Sequence, residues 1–234
     1  MRLYEHWNRI IIPEDKQEYF AASFTRGGIT HRIITAQQQS MGMTTAAMLA
    51  SKIIFEFRPE YLIMCGIAAG LGINAEHIYG DVIVPDVVWD YSAGKFTAPE
   101  KSAITFGNLG FIPRPTSLKA DESVLDIVRS LKGHTDFEIL VGPMACGSAV
   151  VANREVIEKR IRPLLPDTIG LDMESYGILY AAQNAAAPRP KAVIIKSICD
   201  YADQQKSDQY QKFAAYTSSM FTKELIEQHL PLIV

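Results

Sequence analysis

An acid, Asp200, closes an apolar run that has the pattern of a buried strand. Residues 192–195 are four apolar residues in a row, three of them β-branched, which is typical of a strand covered on both faces. The polar stretch 204–209 follows, and then a helical pattern begins. In open α/β sheets, ligands bind beyond the carboxyl ends of the strands. Asp200 is therefore a candidate site residue, and a turn or helix N-cap role is the alternative.

Two further acids, Asp172 and Glu174, flank Met173 just before a helical pattern at 176–187. An acid near the first turn of a helix is favoured by the macrodipole, which is the structural interpretation. The functional interpretation is a carboxylate that accepts hydrogen bonds from two neighbouring hydroxyl groups. A ribose presents such a pair, and one carboxylate has two oxygens to meet it.

Small residues follow two of the predicted strands. The segment Gly66 to Gly70 comes after a strand at 61–65, and a second small-residue segment spans 142–148. We expect both to be loops. Glycine and alanine let a ligand approach the backbone and leave N–H groups free to bind it. The alternative is a tight turn that binds nothing, because a glycine-rich loop alone is a weak motif.

Strand and helix patterns alternate along most of the chain, which predicts a three-layer α/β sandwich with helices on both faces of a sheet. The segment 91–119 is rich in Pro, Gly, Ser and Thr and is predicted to be a long loop. Further strands are predicted at 19–24, 32–35, 82–89 and 138–141, and helices at 44–57, 121–131 and 154–161, with a last one after residue 207.

Composition bounds the class of protein. A chain of 234 residues with 48% hydrophobic residues can bury one sizeable core, so we expect one domain. The net charge is −3 without a basic stripe, which argues against nucleic acid as a partner. Three separated cysteines show no metal-ligand spacing and predict free buried thiols in the cytoplasm. The apolar runs are too short to span a bilayer, which argues against a membrane protein. No cofactor or metal is predicted.

Three segments together resemble the nucleoside phosphorylase and nucleosidase superfamily, most closely its methylthioadenosine/S-adenosylhomocysteine nucleosidase branch. They are CGIAAGLG at 65–72, LDMESYG at 171–177 and KSICDYADQQKSDQYQKFAA at 196–215. Weaker matches in the same order are SMGMTTAA, Gly80-Asp81 and GPMACGSAVV. The resemblance covers nearly the whole chain. It implies a central sheet that is mixed, twisted and partly closed, and a homo-oligomer, most simply a dimer.

The resemblance also implies roles for particular residues in hydrolysis of a purine nucleoside. Asp200 matches the acid that protonates the purine at N7, which neutralises the charge left on the departing base. Glu174 matches the residue that holds the ribose 2′ and 3′ hydroxyls, with Met173 packed on the sugar. The remaining matches line the substrate: Met41, Ala68, Ala69, Gly70, Val150, Val151, Cys199 and Tyr210.

The sequence departs from the family pattern in several places. Val150 stands where an aromatic residue is usual, and Cys199 stands where a serine is usual. The family's first strand, which leads to an acid that activates water, has no counterpart, and Glu5 is the only acid in residues 1–12. We therefore expect residues 1–234 to form one nucleosidase-like domain that lacks this strand.

Charge favours hydrolysis over phosphorolysis. Related phosphorylases carry an arginine just before the first glycine segment, whereas 62–64 here contain no cation. Lys196 and Lys206 could reach a 5′ phosphate, which makes AMP or ATP a possible substrate, or they could be ordinary solvated lysines. A third hypothesis, beside cleavage of a nucleoside or of a nucleotide, is that the domain binds a nucleoside without catalysis.

Overall fold

The computed structural model describes residues 4, 6–72, 78–102, 104–106 and 108–232. Its strands are β1 (Asn8–Ile10), β2 (Tyr19–Arg26), β3 (Ile29–Ala36), β4 (Tyr61–Gly70), β5 (Val82–Asp90), β6 (Gly94–Thr97), β7 (Ile104–Phe106), β8 (Leu109–Pro113), β9 (Ser117–Lys119), β10 (Ile139–Cys146), β11 (Gly170–Asp172) and β12 (Lys191–Asp200). Its α-helices are α1 (Met43–Phe57), α2 (Glu122–Ser130), α3 (Arg154–Val156), α4 (Ser175–Gln183) and α5 (Gln211–Glu224).

The central sheet has six strands in the order β10-β11-β4-β12-β5-β9, and β10 also pairs with β5. This extra pairing closes five of the strands on one another. Strand β12 runs parallel to β4 and antiparallel to β5, so the sheet is mixed. The predicted α/β fold with a mixed, partly closed sheet is confirmed.

Helices cover both faces of this sheet. Successive side chains of a strand point to opposite faces, so a continuous apolar run needs a cover on each side. In β12, Ala192 and Ile194 pack into a core cluster with α1 and α4, whereas Val193 and Ile195 pack into a second cluster with α2 and α5. The continuous apolar run therefore corresponds to a strand buried on both sides, as predicted.

The small-residue segments were expected to be loops, but residues 66–70 and 142–146 are strand, and only residues 147 and 148 lie outside it. Strand β4 continues through Gly70, and β10 continues to Cys146. The small residues are needed for close packing, since a Cβ at Gly70 would lie 2.8 Å from the Ile198 side chain. The predicted long loop is also wrong, because it holds the antiparallel sheet β6-β8-β7 and the edge strand β9.

Strands β1, β2 and β3 form a separate antiparallel sheet near the N-terminus. Gly27 and Gly28 have φ of 60° and 81°, which suits the tight turn between β2 and β3. A cavity of about 1120 Å³ lies between β3, α1, β4 and α5. Glu5 lies outside the described residues, and the absence of the family's first strand stays a prediction. Among the described residues, every helix is too short or too polar to cross a membrane.

Candidate active site

The ends of β12, β4 and β11 meet at one edge of a cavity of about 1030 Å³. Asp200 pairs in register with Ala69 of β4, and Ala69 pairs with Leu171 of β11. The strands thereby bring together segments that are far apart in sequence. Nine of the proposed site residues line this cavity: Met41, Ala68, Ala69, Val150, Val151, Met173, Glu174, Cys199 and Asp200.

Asp200 is the last residue of β12, and its side chain is only 4% exposed. Its Oδ1 accepts a hydrogen bond of 2.9 Å from the amide of Ala202, and its Oδ2 contacts the ammonium of Lys206. The amide contact shows that Asp200 stabilises the turn after β12. Because its other oxygen faces the cavity with Lys206, the turn role and a functional role are compatible.

Cys199 lies beside Asp200 at the end of the same strand. Its Sγ is 3.3 Å from Oδ2 of Asp200 and 3.5 Å from the carbonyl oxygen of Ala68. Burial, with the neighbouring carboxylate of Asp200, raises the pKa of the Cys199 thiol to about 12. At neutral pH this side chain is therefore a neutral thiol that can donate a weak hydrogen bond.

Glu174 precedes helix α4, and both of its carboxylate oxygens have a donor from the protein. Oε1 accepts from the amide of Gly42 at 3.1 Å, and Oε2 lies 3.4 Å from Nζ of Lys196. Its side chain is 15% exposed, so the carboxylate still opens on the cavity. Each oxygen has a further lone-pair direction, which leaves acceptor capacity for ligand hydroxyls.

Close packing of α1 against α4 brings Gly42 to Glu174. A Cβ at Gly177 would lie 2.1 Å from the carbonyl oxygen of Met43, so the first turns of the two helices touch at this glycine. Gly42 itself has a φ of 114°, which a residue with a side chain rarely adopts. The two glycines together place a backbone donor on the Glu174 carboxylate.

Lys196 is 2% exposed and bridges two acids under the cavity. Its Nζ lies 3.0 Å from Oδ2 of Asp172, in addition to the contact with Glu174. Burial alone pushes the pKa of Lys196 down, but the two carboxylates outweigh it and hold that pKa above its usual value. The ammonium is charged at neutral pH. Because the side chain is buried, the interpretation of Lys196 as a solvated surface lysine is wrong.

Two of the proposed lining residues do not reach the cavity. Gly70 packs against Ile198 within the sheet. Tyr210 stacks on Tyr79 with ring centroids 3.8 Å apart and is not among the residues that line the cavity. Met41 and Val150 do line the cavity, at its rim, where they are 71% and 55% exposed.

The sequence model of the phosphorylase superfamily matches residues 2–230, which is almost the whole chain. The chain belongs to the phosphorylase superfamily. Its curated relatives include the uncharacterized protein y4jS of Sinorhizobium fredii, which is 30% identical over 91% of this chain and 54% of its own length. The ATP nucleosidase Cap17 of Escherichia coli is 28% identical over 83% of this chain and 41% of its own. The chain thus spans about half the length of these two relatives.

A shorter superfamily relative is the 5′-methylthioadenosine/S-adenosylhomocysteine nucleosidase of Buchnera aphidicola. It is 28% identical over 80% of this chain and 76% of its own length. Among solved structures, the S-adenosylhomocysteine nucleosidase of Streptococcus pyogenes in complex with 5-methylthiotubericidin aligns with a TM-score of 0.76, covering 97% of this chain and 89% of its own. At 20% identity this likeness shows a shared fold.

Sequence reasoning missed two features of this candidate site, the backbone amide of Gly42 and the pairing of Lys196 with Asp172 and Glu174. Gly42 contributes through its backbone amide, and a glycine has no side chain that would indicate this role. Lys196 did carry a signal, because it interrupts the apolar run of β12 between Ile195 and Ser197, both fully buried. A lysine at such a position has to meet an acid, since an unpaired buried charge is very costly.

Proposed function

We propose that residues 1–234 act as one domain that hydrolyses the N-glycosidic bond of adenine nucleosides such as methylthioadenosine or S-adenosylhomocysteine. The observation that carries this proposal is that Asp200 and Glu174 line the same cavity, together with the small residues Ala68 and Ala69. One carboxylate can meet the base and the other can meet the sugar. The similarity to nucleosidases that act on adenine compounds supports the choice of base.

In this proposal the bond between C1′ and N9 breaks, and its electron pair goes to the adenine. Asp200 donates a proton to N7, which neutralises the leaving group. A water molecule forms the new bond to C1′ and releases a proton, which balances the one that Asp200 gave. Glu174 holds the ribose hydroxyls, and its negative charge stabilises the positive charge that develops on the sugar ring.

The pairing of Lys196 supports hydrolysis over phosphorolysis. Phosphate binding needs cationic groups whose charge is not already balanced by carboxylates of the protein. Lys196 lies at the cavity, but Asp172 and Glu174 already contribute two negative charges to its one positive charge. This arrangement repels a free phosphate anion at the sugar and leaves a neutral water molecule as the favoured nucleophile.

The test is release of free adenine from adenosine and methylthioadenosine, measured by chromatography with and without phosphate in ¹⁸O-labelled water. We expect adenine from both, no dependence on phosphate, and ¹⁸O at C1 of the sugar product. A ribose 1-phosphate product would show phosphorolysis instead. Binding without adenine release would identify a non-catalytic nucleoside-binding module.

A further inference from the structure

Lys206 is the second lysine of the cavity and lies on the loop 201–210 between β12 and α5. Its ammonium contacts Oδ2 of Asp200. The Lys206 side chain is 25% exposed, whereas that of Asp200 is 4% exposed. The lysine therefore reaches inward from the rim and covers the carboxylate that is proposed to protonate the base.

The two cavity lysines differ in how their charge is balanced. Lys196 is buried between Asp172 and Glu174, so two carboxylates face its one positive charge. Lys206 has Asp200 as its ion-pair partner. Asp208, on the same loop, also lines the cavity, and its carboxylate accepts a hydrogen bond from the Gln211 side chain at 2.5 Å.

The proposed chemistry removes the partner of Lys206. A general acid must carry its proton when the substrate is bound, and a protonated Asp200 is neutral. The ammonium of Lys206 then loses its ion-pair partner in a partly desolvated position, which is unfavourable. An anionic group on the substrate would replace the lost partner and so stabilise the protonated form of Asp200.

The covalent structure of a purine nucleotide places such a group within reach. In the anti conformation the N7–C8 edge of the base lies on the same side as C5′ of the ribose. A side chain that meets N7 is therefore a neighbour of the 5′ substituent. A lysine beside Asp200 can leave the carboxylate and bind a 5′ phosphate, for which an ammonium is a common ligand.

We infer that Lys206 binds the 5′ phosphate of the substrate and that the domain prefers 5′-phosphorylated adenine nucleosides over uncharged ones. This inference rests on the proposed function, because it assigns the 5′ substituent of the same substrate. It makes Lys206 a specificity-determining residue whose contact passes from Asp200 to the substrate.

The test compares AMP with adenosine in the wild type and in Lys206→Met, with Lys212→Met as the matched control. Lys212 is an exposed lysine at the start of α5. We expect Lys206→Met to lower kcat/KM for AMP by about ten- to hundredfold, which is the range of a charged hydrogen bond. Adenosine should be cleaved at an equal or higher rate, since it has no phosphate for Lys206 to bind. Lys212→Met should change neither substrate.

Equal losses on AMP and adenosine in Lys206→Met would overturn the inference, as would a wild type that prefers adenosine. Calorimetry measures the affinity for each ligand without requiring turnover. AMP should bind the wild type more tightly than adenosine does, and Lys206→Met should abolish the difference. If no adenine is released from any compound, the proposed chemistry fails, while this binding comparison still decides whether Lys206 recognises the phosphate. Adenosine with inorganic phosphate is the last arm, and cleavage stimulated by phosphate would assign Lys206 to a free phosphate instead.

Discussion

The ammonium of Lys196 lies 3.0 Å from Oδ2 of Asp172, and both side chains are almost completely buried, at 2% and 1% exposure. The same ammonium lies 3.4 Å from Glu174, so one lysine holds two acids that would otherwise repel each other beneath the cavity. This cluster fixes the orientation of the carboxylate that faces the proposed ribose site.

Replacement of Lys196 by Met should lower the free energy of unfolding by about 3–5 kcal/mol, because it leaves two buried carboxylates without their cation. Chemical denaturation measures the change. Lys191→Met is the control on the same strand. Lys191 lies partly exposed over the Tyr61 ring at 5.3 Å, and its loss should cost about 1 kcal/mol or less. Equal costs for the two variants would contradict the structural role of the cluster.

The cluster also predicts a pH dependence. The pKa of Lys196 in the folded protein is raised above its unfolded value, which is about 10.4 for lysine. Its contribution to stability is therefore complete below that pH and is lost as the pH rises through the folded-state pKa. In Lys196→Met, this alkaline loss should be smaller than in the wild type.

Much of this architecture could be predicted from residue patterns. The apolar run 192–195 predicts a strand buried on both faces, and β12 is such a strand. The small residues after Cys65 did not reveal that β4 continues, because glycine and alanine are typical of both loops and close packing. The side chain of Ile198, distant in sequence, packs against Gly70 and shows that close packing applies here.

Residues of the candidate site could be predicted where the side chain itself has the required chemistry. Contacts that depend on how distant segments fold together could not be predicted. Asp200 and Glu174 were predicted because acids at these points suit a nucleoside, and both line the cavity. Tyr210 does not reach the cavity because Tyr79 offers it a stacking partner, and no pattern in either segment reveals that contact. The Lys206–Asp200 contact depends on the path of the loop 201–210, which the polar sequence leaves undetermined.

Gly177 tests the contact between α1 and α4. An alanine in a helix interior is usually more stable than a glycine by about 1 kcal/mol. Gly177→Ala should instead destabilise the protein by about 1–3 kcal/mol, because its Cβ would lie 2.1 Å from the carbonyl oxygen of Met43. Gly66→Ala is the control, since the nearest atom to its Cβ is 3.5 Å away. Thermal unfolding of the two variants measures the difference, and a stabilised Gly177→Ala would show that the helices do not touch there.

Glu174→Gln keeps the shape of the side chain but turns one acceptor oxygen into a donor. Binding of adenosine should weaken, and binding of 2′-deoxyadenosine should weaken less because it lacks one of the hydroxyls. Calorimetry on both ligands makes the comparison, with the exposed Glu18→Gln as a control that should change neither. Equal losses for the two ligands would remove the hydroxyl-binding role of Glu174.

The most direct test of the central claim is the effect of Asp200→Asn on two substrates with different leaving groups. The substitution is nearly isosteric, but an amide cannot donate a proton to N7. We predict that kcat for adenosine falls by about 10²–10⁴-fold, the usual contribution of a general acid. A nitrophenyl riboside, whose leaving group needs no protonation, should lose much less. Equal losses on both substrates, or a wild-type rate with adenosine, would contradict the role of Asp200 as the acid.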